Sequence, residues 1–199
     1  MPLVTIEGLD GSGKTTLATG LAAALPGALL LREPGGVAAA ERVRELVKDP
    51  DLHVAPRAEA LLYAAARAQL VEERLAPELQ TGRLVLLDRF VDSSLAYQGA
   101  GRELGIAAVA AINAFATGGL VPDLTLLLRV DPAVGRARQA GRGEAPDRLE
   151  REEDAFFGRT GAAYDGLAAA EPDRFVVLDG MRSPAELLDD ALQAVRGLA

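Results

Sequence analysis

The chain of 199 residues has no cysteine, no tryptophan, one histidine and only two lysines, Lys14 and Lys48. Without cysteine there can be no disulfide, no thiolate nucleophile and no thiolate-bound metal. The single histidine, His53, stands in "DLHVAP" between two helical segments and reads as structural or exposed, so histidine acid–base chemistry has no support. Basic charge is scarce as well. The 21 Lys and Arg against 29 Asp and Glu leave a net charge of -8, and the pI is near 4.8. That balance argues against nucleic acid as a partner, which would ask for a basic face or tail. Long apolar runs are also missing: the stretch from Leu21 to Leu31 is broken by Pro26 and Gly27, and Glu7 interrupts the first one. Neither a membrane span nor a signal peptide fits, and a cytoplasmic location is expected.

What is present is a hydrophobic content of 49%, enough for one domain with a sizeable core over 1–199. Apolar runs at "LVTIE", "ALLLRE" (28–33), "LVLLDR", "DLTLLLRV" and "RFVVLD" (174–179) read as five strands. Helical patterns alternate with them: 14–25, 37–47, a long one from Pro56 to Leu79, others from about Ser93 and from 105 to 117, and a last one over 183–196. Ser183 followed by proline and glutamate reads as the N-cap of that last helix. From Asp131 to Arg159 the text turns charged and poor in large apolar residues, as expected of a solvated excursion, and a mobile lid is expected at about 136–152. Alternating strands and helices argue for an α/β protein with a parallel sheet covered on both faces and ligands at the carboxyl ends of the strands.

One strand-to-helix turn carries a specific motif. In "GLDGSGKTT", Gly8, Gly13, Lys14 and Thr15 satisfy G-x-x-x-x-G-K-[ST] between an apolar strand and a helix, the context the motif requires. Glycines let the backbone turn its N–H groups inward, the helix start adds positive dipole, Lys14 can reach terminal phosphates and Thr15 can offer a hydroxyl to magnesium. The whole segment, Gly8, Leu9, Asp10, Gly11, Ser12, Gly13, Lys14, Thr15 and Thr16, is the expected ATP-phosphate site. The motif does not say where the phosphoryl group goes. A GTPase switch would need an N-K-x-D motif, and the only asparagine, Asn113, has no lysine beside it. A partitioning ATPase, with Asp88 as its water-positioning acid, and a small-molecule kinase both remain.

At "REPGG" (32–36), "YAAARAQLV" (63–71) and "DRFVDSSLAYQGAGR" (88–102) the sequence closely resembles the thymidylate kinases, which phosphorylate dTMP to dTDP with ATP. The resemblance implies a P-loop nucleoside-monophosphate-kinase fold, a five-stranded parallel sheet surrounded by helices, and a homodimer. It implies that Tyr63, where the family commonly has phenylalanine, stacks on the base while Arg67 hydrogen-bonds the thymine. The i, i+4 spacing of these two independently puts them on one helix face. A guanidinium has only donors, which suits the O4 of thymine and opposes the amino group of cytosine.

The resemblance further implies that Arg89 grips the acceptor phosphate, a task its fork geometry suits. Arg32 would lie near that phosphate, Pro34 near the thymine, Ser94 and Gln98 at the base edge, and Tyr97 against the sugar 2' position. Asp10 would hold the sugar 3'-hydroxyl and, with Thr15, help place magnesium; Asp88 could equally orient Arg89 or serve the magnesium side. Some members carry a catalytic arginine in the P-loop and others supply it from the lid. With Gly11 in the loop and Arg138, Arg142 and Arg148 in or beside the lid, this chain resembles the second, mostly bacterial type, with Arg142 the first choice for the transferred phosphoryl. Kinases for dUMP, UMP or CMP stay open beside dTMP as acceptor.

Overall fold

A computed structural model describes residues 2–141, 143 and 145–198. Five strands, β1 (Leu3–Gly8), β2 (Leu29–Arg32), β3 (Val85–Asp88), β4 (Leu124–Arg129) and β5 (Phe175–Asp179), form one sheet in the order β2-β3-β1-β4-β5. Every pairing is parallel, with Ile6 of β1 level with Asp88 on one side and Leu126 on the other. The central strand "LVTIEG" is buried along its whole length, which is why it is almost continuously apolar instead of alternating.

Helices cover both faces. Val4 and Ile6 point to α1 (Lys14–Ala24) and α9 (Pro184–Arg196), which pack there with Leu17, Leu21, Leu187 and Ala191. Leu3, Val85 and Leu87 point the other way, to α2 (Ala38–Lys48) and α3 (Pro56–Leu70) through Ala40, Ala66 and Leu70. Farther along that face, Leu127 meets Phe156, Phe157 and Tyr164 of α8 (Asp154–Ala170). Ser183 and Glu186 form the capping box of α9, each bonding the other's backbone N–H, as the sequence leads one to expect. Among the described residues no helix is long and apolar enough to cross a membrane.

Three segments depart from the sequence reading. The expected helix to Leu79 ends at Leu70 and passes through a π-helical turn (Val71–Leu75) into the short α4 (Ala76–Gln80). Pro77 has no N–H to continue the ladder. The helix expected from Ser93 is α5 (Val91–Ser94) running into a second π-helical stretch, Leu95–Gly101, before α6 (Ile106–Thr117). About half of the excursion over 131–159 is helix. Asp131 accepts from the N–H of Ala133 and caps α7 (Pro132–Ala140), and α8 begins at Asp154. Both helices lie in charge-rich text, so an apolar stripe marks neither, yet Gly135, Phe156, Phe157 and Thr160 are buried.

Candidate active site

The carboxyl ends of β1, β2 and β3 open into a pocket of about 320 Å³. At one end lies the P-loop, with Asp10, Gly11, Gly13, Lys14, Thr15 and Thr16 on the lining; at the other lie Tyr63, Ser94, Tyr97 and Gln98, with Arg32, Pro34 and Arg89 between. Both lysines of the chain line it. Gly8 and Leu9 face a neighbouring cleft, while Ser12 is buried and lines a smaller one with Arg138.

The loop's glycines are required by close approach. Gly8, at φ 141°, would put a Cβ 2.4 Å from the carbonyl oxygen of Leu128. Gly11, at φ 77°, would put one 2.1 Å from the carbonyl oxygen of Gly135, and a Cβ on Gly135 would lie 2.6 Å from that of Asp10. The P-loop and α7 therefore touch backbone to backbone, which leaves no room for a side chain at position 11. Lys14 arches back so that Nζ donates to the Leu9 carbonyl at 2.8 Å. Burial and the nearby Arg89 bring its pKa down to about 8, against the pull of Asp10, Asp88 and Glu7.

Arg89 sits with a positive φ of 71°, a conformation a side-chain-bearing residue adopts at a cost of about 1–3 kcal/mol. It is held there from both sides. Its backbone N–H donates to the Ile6 carbonyl at 3.0 Å, and the next N–H, of Phe90, donates to Glu7 Oε1 at 2.7 Å. Its guanidinium donates to Asp10, to Ser93 Oγ at 3.1 Å and to the Tyr97 hydroxyl at 3.3 Å. The Tyr97 hydroxyl in turn donates to Asp10 Oδ2 at 2.8 Å. Burial works against it, yet Arg89 and Lys14 hold the Asp10 carboxyl well below the usual carboxylate range.

Glu7 is a site residue that the sequence reading takes only as a break in the first apolar run. It is fully buried, and its carboxylate accepts from Phe90 and Ser93 N–H, from Ser93 Oγ at 2.6 Å and from the Tyr164 hydroxyl at 2.8 Å. Burial first, and Asp92 second, push its pKa up. The signal was available: a carboxylate closing an otherwise apolar strand needs a dedicated set of donors. Arg44, Lys48 and Asp147 also line the pocket without having been anticipated.

Several expected site residues lie elsewhere. Arg67 does not share a surface with Tyr63; it is 1% exposed and absent from the lining. Its donors go to Glu33 Oε2 (2.7 Å), Ser94 Oγ (2.9 Å), the Phe90 carbonyl (2.9 Å) and Asn113 Oδ1. Arg148 is absent from the pocket lining and pairs with Glu59 at 2.7 Å, its Nε donating to the Val47 carbonyl. A buried carboxylate outcompetes solvent for the guanidinium. Arg138 donates to the Gly180 carbonyl at 2.9 Å, and Arg142 lies outside the described residues. Asp10 offers little to a metal, because both oxygens are taken by Arg89 and Tyr97. Asp88 is better placed: Thr15 Oγ1 donates to its Oδ2 at 3.0 Å, and its Oδ1 is buried without a partner.

The family model for thymidylate kinase matches residues 6–191. The chain is 50% identical over 196 residues to the thymidylate kinase of Deinococcus radiodurans, covering 96% of this chain and 95% of that one. It is 46% identical over 200 residues to that of Lactobacillus delbrueckii subsp. bulgaricus, with 97% and 94% covered. The crystal structure of thymidylate kinase from Ehrlichia chaffeensis superposes with a TM-score of 0.81 at 26% identity, over 98% of each chain. A P-loop opening onto a pocket that Arg89 and Tyr63 also line, and a match that runs nearly end to end, place this chain in the thymidylate kinase family, the kinases that phosphorylate dTMP to dTDP.

Proposed function

We propose that the pocket takes dTMP with its base against Tyr63 and its phosphate at Arg89, and that the P-loop presents the γ-phosphate of ATP to it. One observation carries this reading: a single pocket runs without interruption from Lys14 and Thr15, through Arg89, to Tyr63 and Gln98. It offers a phosphate grip, Arg89, and an aromatic side chain, Tyr63, to one ligand.

The chemistry asks little covalent work of the protein. A phosphate monoester loses its second proton near pH 6, so the acceptor oxygen is already an anion and needs no general base. Phosphoryl transfer needs in-line placement, charge neutralisation and exclusion of water. Arg89, fixed by Asp10, Ser93 and Tyr97, holds the acceptor; Lys14 and the loop amides hold the donor; Arg32 lines the same pocket. Asp10 acts on the acceptor side through Arg89 and the sugar. The residues fit a magnesium ion on the Thr15 side, where Asp88 keeps an unpartnered buried oxygen; a magnesium ion bound there would neutralise donor phosphate charge. Among the described residues no three carboxylates or histidines converge on a metal cage, which suits an ion held mainly by phosphate and water.

The segment at 136–152 is read as the lid over this pocket, in a single P-loop domain, with Arg142 its candidate phosphoryl contact. A homodimer is proposed as well. It is supported by apolar side chains left exposed on two helices that pack together, Leu61 on α3 and Phe115 on α6, the latter 93% exposed; surfaces of this kind mark interaction sites.

The deciding experiment measures ADP formation with magnesium and ATP, comparing dTMP, dUMP, dCMP, UMP and no acceptor. Strong dependence on dTMP is expected. Equal ADP release without acceptor would leave a P-loop ATPase and remove the kinase reading.

A further inference from the structure

Glu7 lies near the carboxyl end of β1, fully buried and absent from the pocket lining, and the chemistry proposed above gives it no task. A buried carboxylate needs donors. Among the described residues those of Glu7 are all neutral: Phe90 N–H at 2.7 Å and Ser93 N–H at 3.3 Å on Oε1, Ser93 Oγ at 2.6 Å and the Tyr164 hydroxyl at 2.8 Å on Oε2. All but the last belong to the turn that follows Arg89. Phe90 stands at the N-cap of α5 and has no side-chain acceptor to offer its first turn, so Glu7 performs the capping from a different element.

The same carboxylate reaches Arg89 by two routes. Through the backbone, it fixes the Phe90 N–H and with it the peptide group that leads out of Arg89, the residue held at a φ of 71°. Through side chains, it acts by way of Ser93, which has a single hydroxyl proton. That proton goes to Glu7 Oε2, and the Tyr164 hydroxyl spends its own on the same oxygen, so Ser93 Oγ meets Arg89 Nη1 with a lone pair at 3.1 Å. The carbonyl of Gly8 accepts from that Nη1 as well, at 3.3 Å. Backbone and guanidinium of Arg89 are thus both tied to one dipeptide, Glu7 and Gly8.

We infer that Glu7 is a positioning residue for the acceptor phosphate, aiming Arg89 without touching the ligand. The inference rests on Arg89 gripping that phosphate. The sign of the effect separates it from plain electrostatics. A buried negative charge near an anion site repels the anion, so neutralising Glu7 would by charge alone tighten phosphate binding. Neutralising a positioning residue loosens it. The task also asks for a group that only accepts: an amide at position 7 still serves Phe90 with its oxygen, but it meets the two hydroxyl donors with an N–H₂ and forces Ser93 to turn.

The test compares the affinities of dTMP and of thymidine, which lacks only the phosphate, by calorimetry on the full chain. In Glu7→Gln the preference for dTMP over thymidine is expected to fall by about tenfold or more, while thymidine affinity stays within about threefold. Ser93→Ala keeps the carboxylate and its bond to Phe90, removes only the side-chain route, and carries the test if Glu7→Gln does not fold; its preference should fall by about threefold or more. In an Arg89→Ala background, where the grip is already gone, either substitution should change dTMP affinity by less than about twofold. Tighter dTMP binding in Glu7→Gln, equal losses for dTMP and thymidine, or losses that add to that of Arg89→Ala would overturn the inference while Arg89 keeps the phosphate. An Arg89→Ala protein that prefers dTMP as strongly as the wild type does would overturn both.

Discussion

Lys14 is the residue whose chemistry is most exposed to measurement. In the free protein burial and Arg89 bring its pKa to about 8, whereas triphosphate oxygens favour the charged form and raise it. The sign follows: below pH 8 the lysine is already charged and ATP binds without proton uptake, while above it binding must capture a proton and weakens as pH rises. ATP affinity measured by calorimetry should be flat from pH 6.5 to 7.5, then fall toward tenfold per pH unit above about 8.5, with a buffer-dependent heat from the proton taken up. Lys14→Arg, charged throughout, should remove the slope. An affinity independent of pH to 9.5 in the wild type would mean that Lys14 does not meet the phosphates. Lys14 could be singled out from sequence because its motif is local, eight residues long. Arg67 is the opposite case. Its number and its helix face were readable, but its partners come from Glu33, Phe90, Ser94 and Asn113, four places that only the folded sheet brings together.

Among the elements distant in sequence, α7 meets the P-loop backbone to backbone. The contact between Gly11 and Gly135 leaves no room for a methyl group on either side, so Gly135→Ala should push the loop away from its phosphate-binding shape. A stability loss of about 1–3 kcal/mol is expected, with turnover reduced at least about tenfold, since misplacement at the reacting atoms is costly. Gly158→Ala is the control: the added Cβ meets nothing within 4 Å and the change should be neutral or favour the helix by up to about 1 kcal/mol. Equal effects of the two substitutions on turnover would dismiss the contact. The five strands and the order of helices between them were legible because buried parallel strands are continuous apolar runs. α7 and α8 were not, because α7 is short and charged, and α8 carries Gly158, Gly161 and Gly166, which weaken any helical signal. The π-helical stretches have no sequence mark of their own; the one over Leu95–Gly101 brings Tyr97 and Gln98 to the pocket.

For the whole molecule, the exposed side chains of Phe115 on α6 and Leu61 on α3 give the proposed homodimer a specific face to test. Phe115→Asp should shift the protein from dimer to monomer in sedimentation or light scattering, with its thermal midpoint lowered by loss of the partner and not of the core. An unchanged mass would move the interface elsewhere. Nineteen of the chain's 21 basic side chains are arginines. The two exceptions stand in the same pocket, Lys14 under the loop carbonyl of Leu9 and Lys48 paired with Asp147 at 2.9 Å. Side-chain amines are thus confined to that pocket, Lys14 buried in it and Lys48 at its edge with 37% of its side chain exposed. An acylating reagent, which modifies neutral amines and ignores guanidinium, has only these two side-chain amines to choose between, and acylation of the buried Lys14, set against that of the partly exposed Lys48, becomes a gauge of how often the pocket is vacant.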